Sequence, residues 1–271
     1  MGNPVYALGH SDRELERLRA QERLVGPATR QFFGEAGIDT GMRVLDVGSG
    51  AGDTAFLAAD LVGETGEVIG TDKAAAAVVA ATARAKARSL RNVSFREGDP
   101  GEMTFDRPFD AVVGRYVLLF QADSAALLRR LVGHLRLGGA IVFHEPDWGS
   151  VRSLPPAPTY DSCCQWITEA FRLAGTDTNM AGKLHTAFIG AGLPAPSMRM
   201  RTFISGPSGC TDWLQAVAEL AGTLLPTMEQ LGVATAAEVE VATLAERLRR
   251  EVTASGSVII GRSEIGAWSH I

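Results

Sequence analysis

The sequence predicts an α/β protein with a doubly wound, mostly parallel sheet of seven strands. A helical lid precedes the sheet and a helical cap is inserted near its end. Three observations predict this. From Arg43 onward, short β-branched runs alternate with longer segments of helical spacing, the pattern of a parallel sheet with helices on both faces. The runs are nearly continuous in apolar residues, as strands buried on two sides must be. A glycine-rich turn, GSGAG at 48–52, directly follows the first run and opens a helix.

The elements follow in order. Ser11 and Glu14 have capping-box spacing and open a helix to about Val25. Leu15, Leu18 and Val25 line one face, and Gln21 stands about 60° from Leu18 around the helix, so it points inward too. RVLDV precedes a helix near 53–62, and EVIGT precedes one near 74–89. NVSFRE, a loop and FDAVVG come next. A helix near 123–136, with Leu127, Leu128, Leu131, Val132 and Leu135 at helical spacing, leads into AIVFHE.

After Ser150 the regularity loosens. SLPPAP reads as a loop, followed by helices near 158–174 and 180–191 and the strand SMRMRTFISG. Helices near 211–224 and 235–253 precede the last strand, SVIIGRSEIGAW. The chain thus divides into a lid at 1–37, a ligand-binding core at 38–150, further core elements at 151–204, a cap at 205–255 and a final core strand at 256–271.

Composition narrows the function. A net charge of −5 argues against a protein held to nucleic acid by phosphate contacts. Cys163, Cys164 and Cys210, odd in number and two adjacent, make neither a disulfide framework nor zinc-ligand spacing. The first 21 residues lack the apolar core of a signal peptide, so a cytoplasmic protein is expected. The apolar run after Lys73 ends at Arg84, too short to span a bilayer.

The glycine turn is the most informative stretch. Glycine allows positive φ and close approach of a ligand to the backbone, and a helix N-terminus favours an anion. A dinucleotide fingerprint is G-x-G-x-x-G/A. Here the spacing is G-x-G-x-G, and Asp53 stands where Gly or Ala is wanted, a carboxylate that would repel a pyrophosphate. A phosphate-binding G-K-[ST] is absent. An adenosyl ligand without phosphate fits better.

VLDVGSGAG resembles motif I of the class I S-adenosylmethionine-dependent methyltransferases, in particular the ubiquinone/menaquinone C-methylase-like group, and the resemblance spans about residues 40–148. It implies a Rossmann-like methyltransferase fold with S-adenosyl-L-methionine as cofactor. It places Gly48, Ser49 and Gly50 at the methionine end, with Asp46 in the cofactor set; Gln21, pointing inward under the lid, suits either a boundary glutamine or a polar contact with that ligand. Asp72, ending the second strand, would hold the ribose hydroxyls with Lys73 beside it. Asp99 would accept from the adenine amino group. Pro100 follows it without an N–H, so either Gly101 supplies the ring's donor or that contact is missing, and D-P-G-E is also a local helix start. Arg115 and Tyr116 would face the methionine part, and Arg115 also suits a structural pairing with Asp46 or Asp53. Gly114 and Arg115 stand where metal-dependent relatives carry an acid, so no metal is expected.

VFHEPDW ends the fifth strand. His144 and Glu145 point to opposite faces there, and both are candidate acids or bases; Tyr6 is a candidate for closing over the methyl group. Asp147 suits a turn or the orienting of His144, and Trp148 suits packing. Trp166, Phe171, Trp213, Leu224 and Met228 suit either core or an apolar substrate pocket. The resemblance implies methyl transfer to O or C of a small, largely apolar or aromatic acceptor of secondary-metabolite type. The alternatives are non-methylating chemistry on the same cofactor (cyclisation, rearrangement or decarboxylation) and a non-catalytic binding module. A nicotinamide-dependent dehydrogenase is the weakest reading. The small-molecule acceptor is the expected partner, with no nucleic acid and no membrane span, and a homodimer is left open.

Overall fold

A computed structural model describes residues 12–271, with side chains from Glu22 onward. Tyr6 lies outside the described residues, as does the side chain of Gln21. The first half of the chain runs α1 (Asp12–Glu35), β1 (Arg43–Val47), α2 (Asp53–Val62), β2 (Glu67–Asp72), α3 (Ala75–Ala87), β3 (Val93–Glu97), β4 (Phe109–Arg115), α4 (Ser124–Val132) and β5 (Leu135–Asp147). Next come β6 (Arg152–Leu154), α5 (Pro158–Leu173), α6 (Ala181–Gly190) and β7 (Ser197–Ser205). The chain ends with α7 (Thr211–Gln230), α8 (Ala236–Val239), α9 (Val241–Ser255) and β8 (Val258–His270).

Two compact units form. The first comprises Val25–Glu145, Met180–Met200 and Ile265–Ile271; the second takes the described residues 12–24 with Pro146–Asn179 and Arg201–Glu264.

In the first unit the strands lie in the order β3-β2-β1-β4-β5, with the end of β8 after β5. β1 to β5 pair in parallel. The chain works outward from β1 to β3 and then crosses to β4 on the other side of β1. That reversal opens a crevice beyond the C-terminal ends of β1 and β4, where open α/β sheets bind ligands. Strand alternation sorts the side chains. Val44, Ala111, Val113, Ala140 and Val142 pack with Phe33 and Ala36 of α1 and with Ala55, Ala58 and Val62 of α2. Leu45, Val112, Ile141 and Phe143 face the other way, toward Leu128 and Leu131 of α4 and Leu184 and Phe188 of α6.

In the second unit α5, α7 and α9 pack together, and β6 pairs antiparallel with the start of β8. Trp213 Nε1 donates to the Tyr160 hydroxyl at 2.9 Å, and that hydroxyl donates to Ile260 O at 3.2 Å. Phe171, Trp213, Leu224 and Met228 are buried in this core, and Trp166 packs on its edge. Burial pushes the Cys163 thiol up to about 12 and raises Cys164 as well, so both remain neutral thiols at neutral pH.

Four differences from the sequence reading have physical reasons. First, α1 continues ten residues past Val25, through Pro27. Proline forfeits one helical hydrogen bond, but Val25, Ala28, Thr29, Phe32 and Phe33 are all buried at helical spacing, which outweighs it. Second, the helix after 123 stops at Val132, and β5 is already under way at Leu135. Third, the segment at 235–253 breaks at Glu240, which has φ 46. Fourth, the described sheet has eight strands; the additional one is β6, in a stretch read as loop. Among the described residues no helix is long and apolar enough to cross a membrane.

Candidate functional site

The crevice is built from the ends of β1, β2, β4 and β5. Gly48, Gly50 and Gly52 have φ of 65, 51 and 93, conformations that favour glycine. Their surroundings differ. A Cβ at Gly48 would lie 2.9 Å from Val117 Cγ2, and one at Gly52 would lie 2.8 Å from Phe56 Cζ. A Cβ at Gly50 would meet nothing within 4 Å. Gly48 and Gly52 are therefore packing glycines, whereas Gly50 faces open space.

The turn does not offer its N–H groups as freely as its sequence suggests. Ser49 N donates to Thr71 O at 2.9 Å, Gly50 N to Asp72 Oδ2 at 2.9 Å, and Gly52 N to Ser49 O at 2.8 Å. What it does offer is the space at Gly50 and the buried Ser49 Oγ, which has no hydrogen-bond partner. Asp53 pairs with Arg84 at 2.5 Å, and Arg84 also donates to Ala51 O. Its charge is thus answered, and the case against a pyrophosphate rests instead on the three engaged amides and on Asp46.

Asp46 is fully enclosed, at 0 % exposure, and neither carboxylate oxygen has a hydrogen-bond partner. Burial pushes its carboxyl well above the usual range; the nearby Asp72 and Asp53 charges add to this, while the Arg115 charge and the Ala55 N–H, which points toward it outside hydrogen-bond geometry, oppose it. A buried carboxylate without partners is costly, so this position calls for a cationic or hydrogen-donating ligand.

Asp72 sits at the end of β2. Its Oδ2 accepts from Gly50 N and its Oδ1 from Ala74 N, each at 2.9 Å. Each carboxylate oxygen keeps a second lone pair for a vicinal diol. Asp99 Oδ2 pairs with Lys73 Nζ at 2.9 Å, and its Oδ1 accepts from Gly101 N at 2.9 Å. Partial burial raises the Asp99 carboxyl, but Lys73, the Gly101 N–H and Arg130 outweigh it and hold the group below its ordinary value. The D-P-G-E segment makes a single turn and no helix. Pro100 is buried, and its carbonyl accepts from His134 Nε2 at 2.6 Å. The Gly101 N–H that would replace the missing Pro100 donor is thus already engaged by Asp99.

Register places Asp46 beside Val113, and Arg115 beside His144. Asp46, Arg115 and His144 therefore share one face, and Glu145 takes the other. Glu145 is fully buried, and its carboxylate accepts from the N–H groups of Val117 (2.9 Å), Leu118 (2.7 Å) and Leu119 (3.3 Å). In this structure it fastens the turn after β4, where Tyr116 has φ 58. His144 is also fully buried. Its ring contacts Phe32 and Tyr116 edge-on, with centroids 5.0 and 5.4 Å away, and its Nδ1 lies 3.0 Å from Thr29 Oγ1. Asp147 Oδ1 accepts from Gly149 N at 3.0 Å, closing a local turn.

The sequence reading missed Thr29, because it ended the first helix at Val25. The signal available was the continued spacing of Ala28, Phe32 and Phe33 beyond Pro27. Among the described residues no group of three or more His, Cys, Asp or Glu is placed to hold a metal ion.

Known proteins resemble this arrangement. A family model described as a methyltransferase domain matches residues 38–187. An aklanonic acid methyltransferase of Streptomyces sp. (strain C5) is 40% identical over 120 residues, 43% of this chain and 54% of that protein. A demethylmenaquinone methyltransferase of Lactococcus lactis is 31% identical over 122 residues, 45% of this chain and 46% of that protein. The match thus spans about half the length of these curated relatives. The crystal structure of YcgJ from Bacillus subtilis superposes with a TM-score of 0.56 at 16% identity, covering 91% of this chain and 99% of that one. It shows the same fold.

Proposed function

The chain belongs to the methyltransferase-domain family, and on that premise we propose that it transfers a methyl group from S-adenosyl-L-methionine to a small, largely apolar or aromatic acceptor. The observation that carries this reading is Asp46: an acid at 0 % exposure with both oxygens unpartnered, on the same sheet face as Arg115. A buried carboxylate and a guanidinium two residues further along the neighbouring strand complement the ammonium and carboxylate of an α-amino acid. The open space at Gly50 admits the chain between that end and the adenosine. Asp72 receives the ribose hydroxyls, and Asp99 with Lys73 lies at the adenine end.

When bound, the cofactor would supply an electrophilic methyl group: the acceptor's electron pair would form the new O–C or C–C bond, the C–S pair would return to sulfur, and the acceptor's displaced proton would leave to solvent. The protein's part is alignment and exclusion of water, which suffices for a strongly driven transfer. Arg115 and Asp46 fix the amino-acid end. Tyr116, in its left-handed conformation, and the turn fastened by Glu145 shape the floor beyond β4. Glu145, engaged by three amides, acts here as a positioning residue. The named relatives act on aklanonic acid and demethylmenaquinone, which supports a fused aromatic or quinol-like acceptor.

The test is calorimetric titration with S-adenosylhomocysteine, followed by a screen with methyl-labelled cofactor against hydroxylated anthraquinones, naphthoquinols and simple phenols. Binding together with label transfer to one of these supports the reading. Absence of binding at millimolar ligand overturns it.

A further inference from the structure

Thr29, on the part of α1 beyond Pro27, is fully buried, and its hydroxyl lies within hydrogen-bond distance of three groups. Val25 O is 3.2 Å away, Arg115 Nη1 is 3.1 Å away and His144 Nδ1 is 3.0 Å away. A hydroxyl has one proton and two lone pairs. A guanidinium only donates and a carbonyl only accepts. All three contacts are satisfied at once in one arrangement. Thr29 donates to Val25 O and accepts from Arg115, and its second lone pair accepts from His144. His144 then carries its proton on Nδ1.

We propose that Thr29 is a positioning residue for the amino-acid end of the cofactor: its hydroxyl, tied to Val25 O and to His144 Nδ1, holds the Arg115 guanidinium where the cofactor's carboxylate is received. The proposal rests on the methyltransferase reading of the same site. Three observations point to it. Arg115 and His144 are register partners at the ends of β4 and β5, so one hydroxyl from α1 ties two strands together at the crevice. The unpartnered Asp46 on the same face already calls for the ammonium of an amino acid. The turn amides at Ser49, Gly50 and Gly52 are engaged within the protein, whereas Arg115, at the end of the neighbouring strand, has the charge and the forked donors that suit a carboxylate.

The test compares two ligands by calorimetry. S-Adenosylhomocysteine carries the amino-acid end, whereas 5′-methylthioadenosine has the same adenosine and lacks it. Thr29→Val removes the hydroxyl at nearly constant volume. It is expected to weaken S-adenosylhomocysteine about tenfold or more, the loss of one charge-assisted contact, while 5′-methylthioadenosine stays within about twofold. Thr29→Ser keeps the hydroxyl and is expected to restore S-adenosylhomocysteine binding to within about threefold of wild type. Nitrogen-15 spectra of the His144 ring are expected to show the Nδ1–H form in wild type and in Thr29→Ser, and its loss in Thr29→Val. Arg115→Lys, which keeps the charge and loses the planar donor pair, supplies the same ligand comparison should Thr29→Val fail to fold. Equal weakening of both ligands, or of neither, overturns the proposal while leaving the cofactor reading intact. Wild-type protein that binds neither ligand removes the cofactor reading and this proposal together.

Discussion

Asp72 Oδ2 accepts the Gly50 N–H at 2.9 Å, so the acid at the end of β2 also ties down the glycine turn after β1. One carboxylate therefore sets the spacing between two parts of the crevice. Asp72→Ala removes this bond, the Ala74 bond and the proposed ribose contact together. Binding of S-adenosylhomocysteine is expected to fall by about tenfold to a hundredfold, one to two hydrogen bonds to a charged group. Because the ribose belongs to both ligands, 5′-methylthioadenosine is expected to weaken equally, unlike the pattern expected at Thr29. Calorimetry with the two ligands checks it.

Gly50 and Gly52 have similar backbone conformations and opposite surroundings. Gly52→Ala drives a Cβ to within 2.8 Å of Phe56 Cζ and 2.9 Å of Phe95 Cζ, so overpacking of about 1–3 kcal/mol adds to the left-handed strain. Gly50→Ala carries only that strain, about 1–2 kcal/mol, but its methyl group enters the space assigned to the ligand. Urea unfolding is expected to rank Gly52→Ala as the less stable. Cofactor titration is expected to show Gly50→Ala as the variant that folds and binds poorly.

The sheet was legible because two-sided burial writes itself as apolar runs, and the order of glycine turn, Asp72 and Asp99 read correctly as a chain of strand ends. The opposite faces of His144 and Glu145 followed from alternation alone. Other features depend on partners far away in sequence. That Glu145 fastens three amides at 117–119 depends on where β4 turns. The engagement of the turn amides by Thr71 and Asp72 depends on the β1–β2 register. Continuation of α1 past Val25 and through Pro27 depends on the burial of Phe32 and Phe33, contacts that the local sequence does not spell out. The isolation of Asp46 had a visible signal, an acid inside RVLDV, but only the structure shows that neither of its oxygens has a hydrogen-bond partner.

Glu145→Gln separates fastening from proton transfer. The amide turns one acceptor oxygen into a donor that faces backbone N–H groups, and it loses the charge. Stability is expected to drop by about 1–3 kcal/mol, read as a lower urea midpoint at unchanged slope. Binding of S-adenosylhomocysteine below the transition is expected to change little. Unchanged stability with abolished methyl transfer would instead make Glu145 a chemical participant.

Asp46→Asn should reveal what the buried acid costs the ligand-free fold. Its folded carboxyl lies above the ordinary value because burial disfavours the charged form. The folded state therefore holds this proton more tightly than the unfolded chain does. The penalty is absent below the unfolded value of about 4, grows as pH rises from there toward the raised folded value, and then stays constant. The asparagine variant does not titrate, so its stability relative to wild type is expected to improve as pH climbs through that window. The ligand reverses the comparison. An ammonium beside Asp46 favours the carboxylate, so wild-type protein that is still protonated there must release a proton on binding S-adenosylhomocysteine. Within that window, calorimetric heats for wild type are expected to vary with the ionisation enthalpy of the buffer, and those for Asp46→Asn to lose that component along with affinity. Buffer-independent heats for wild type across the window, with an unweakened Asp46→Asn, would separate Asp46 from the ammonium and leave its isolation to be explained by the fold alone.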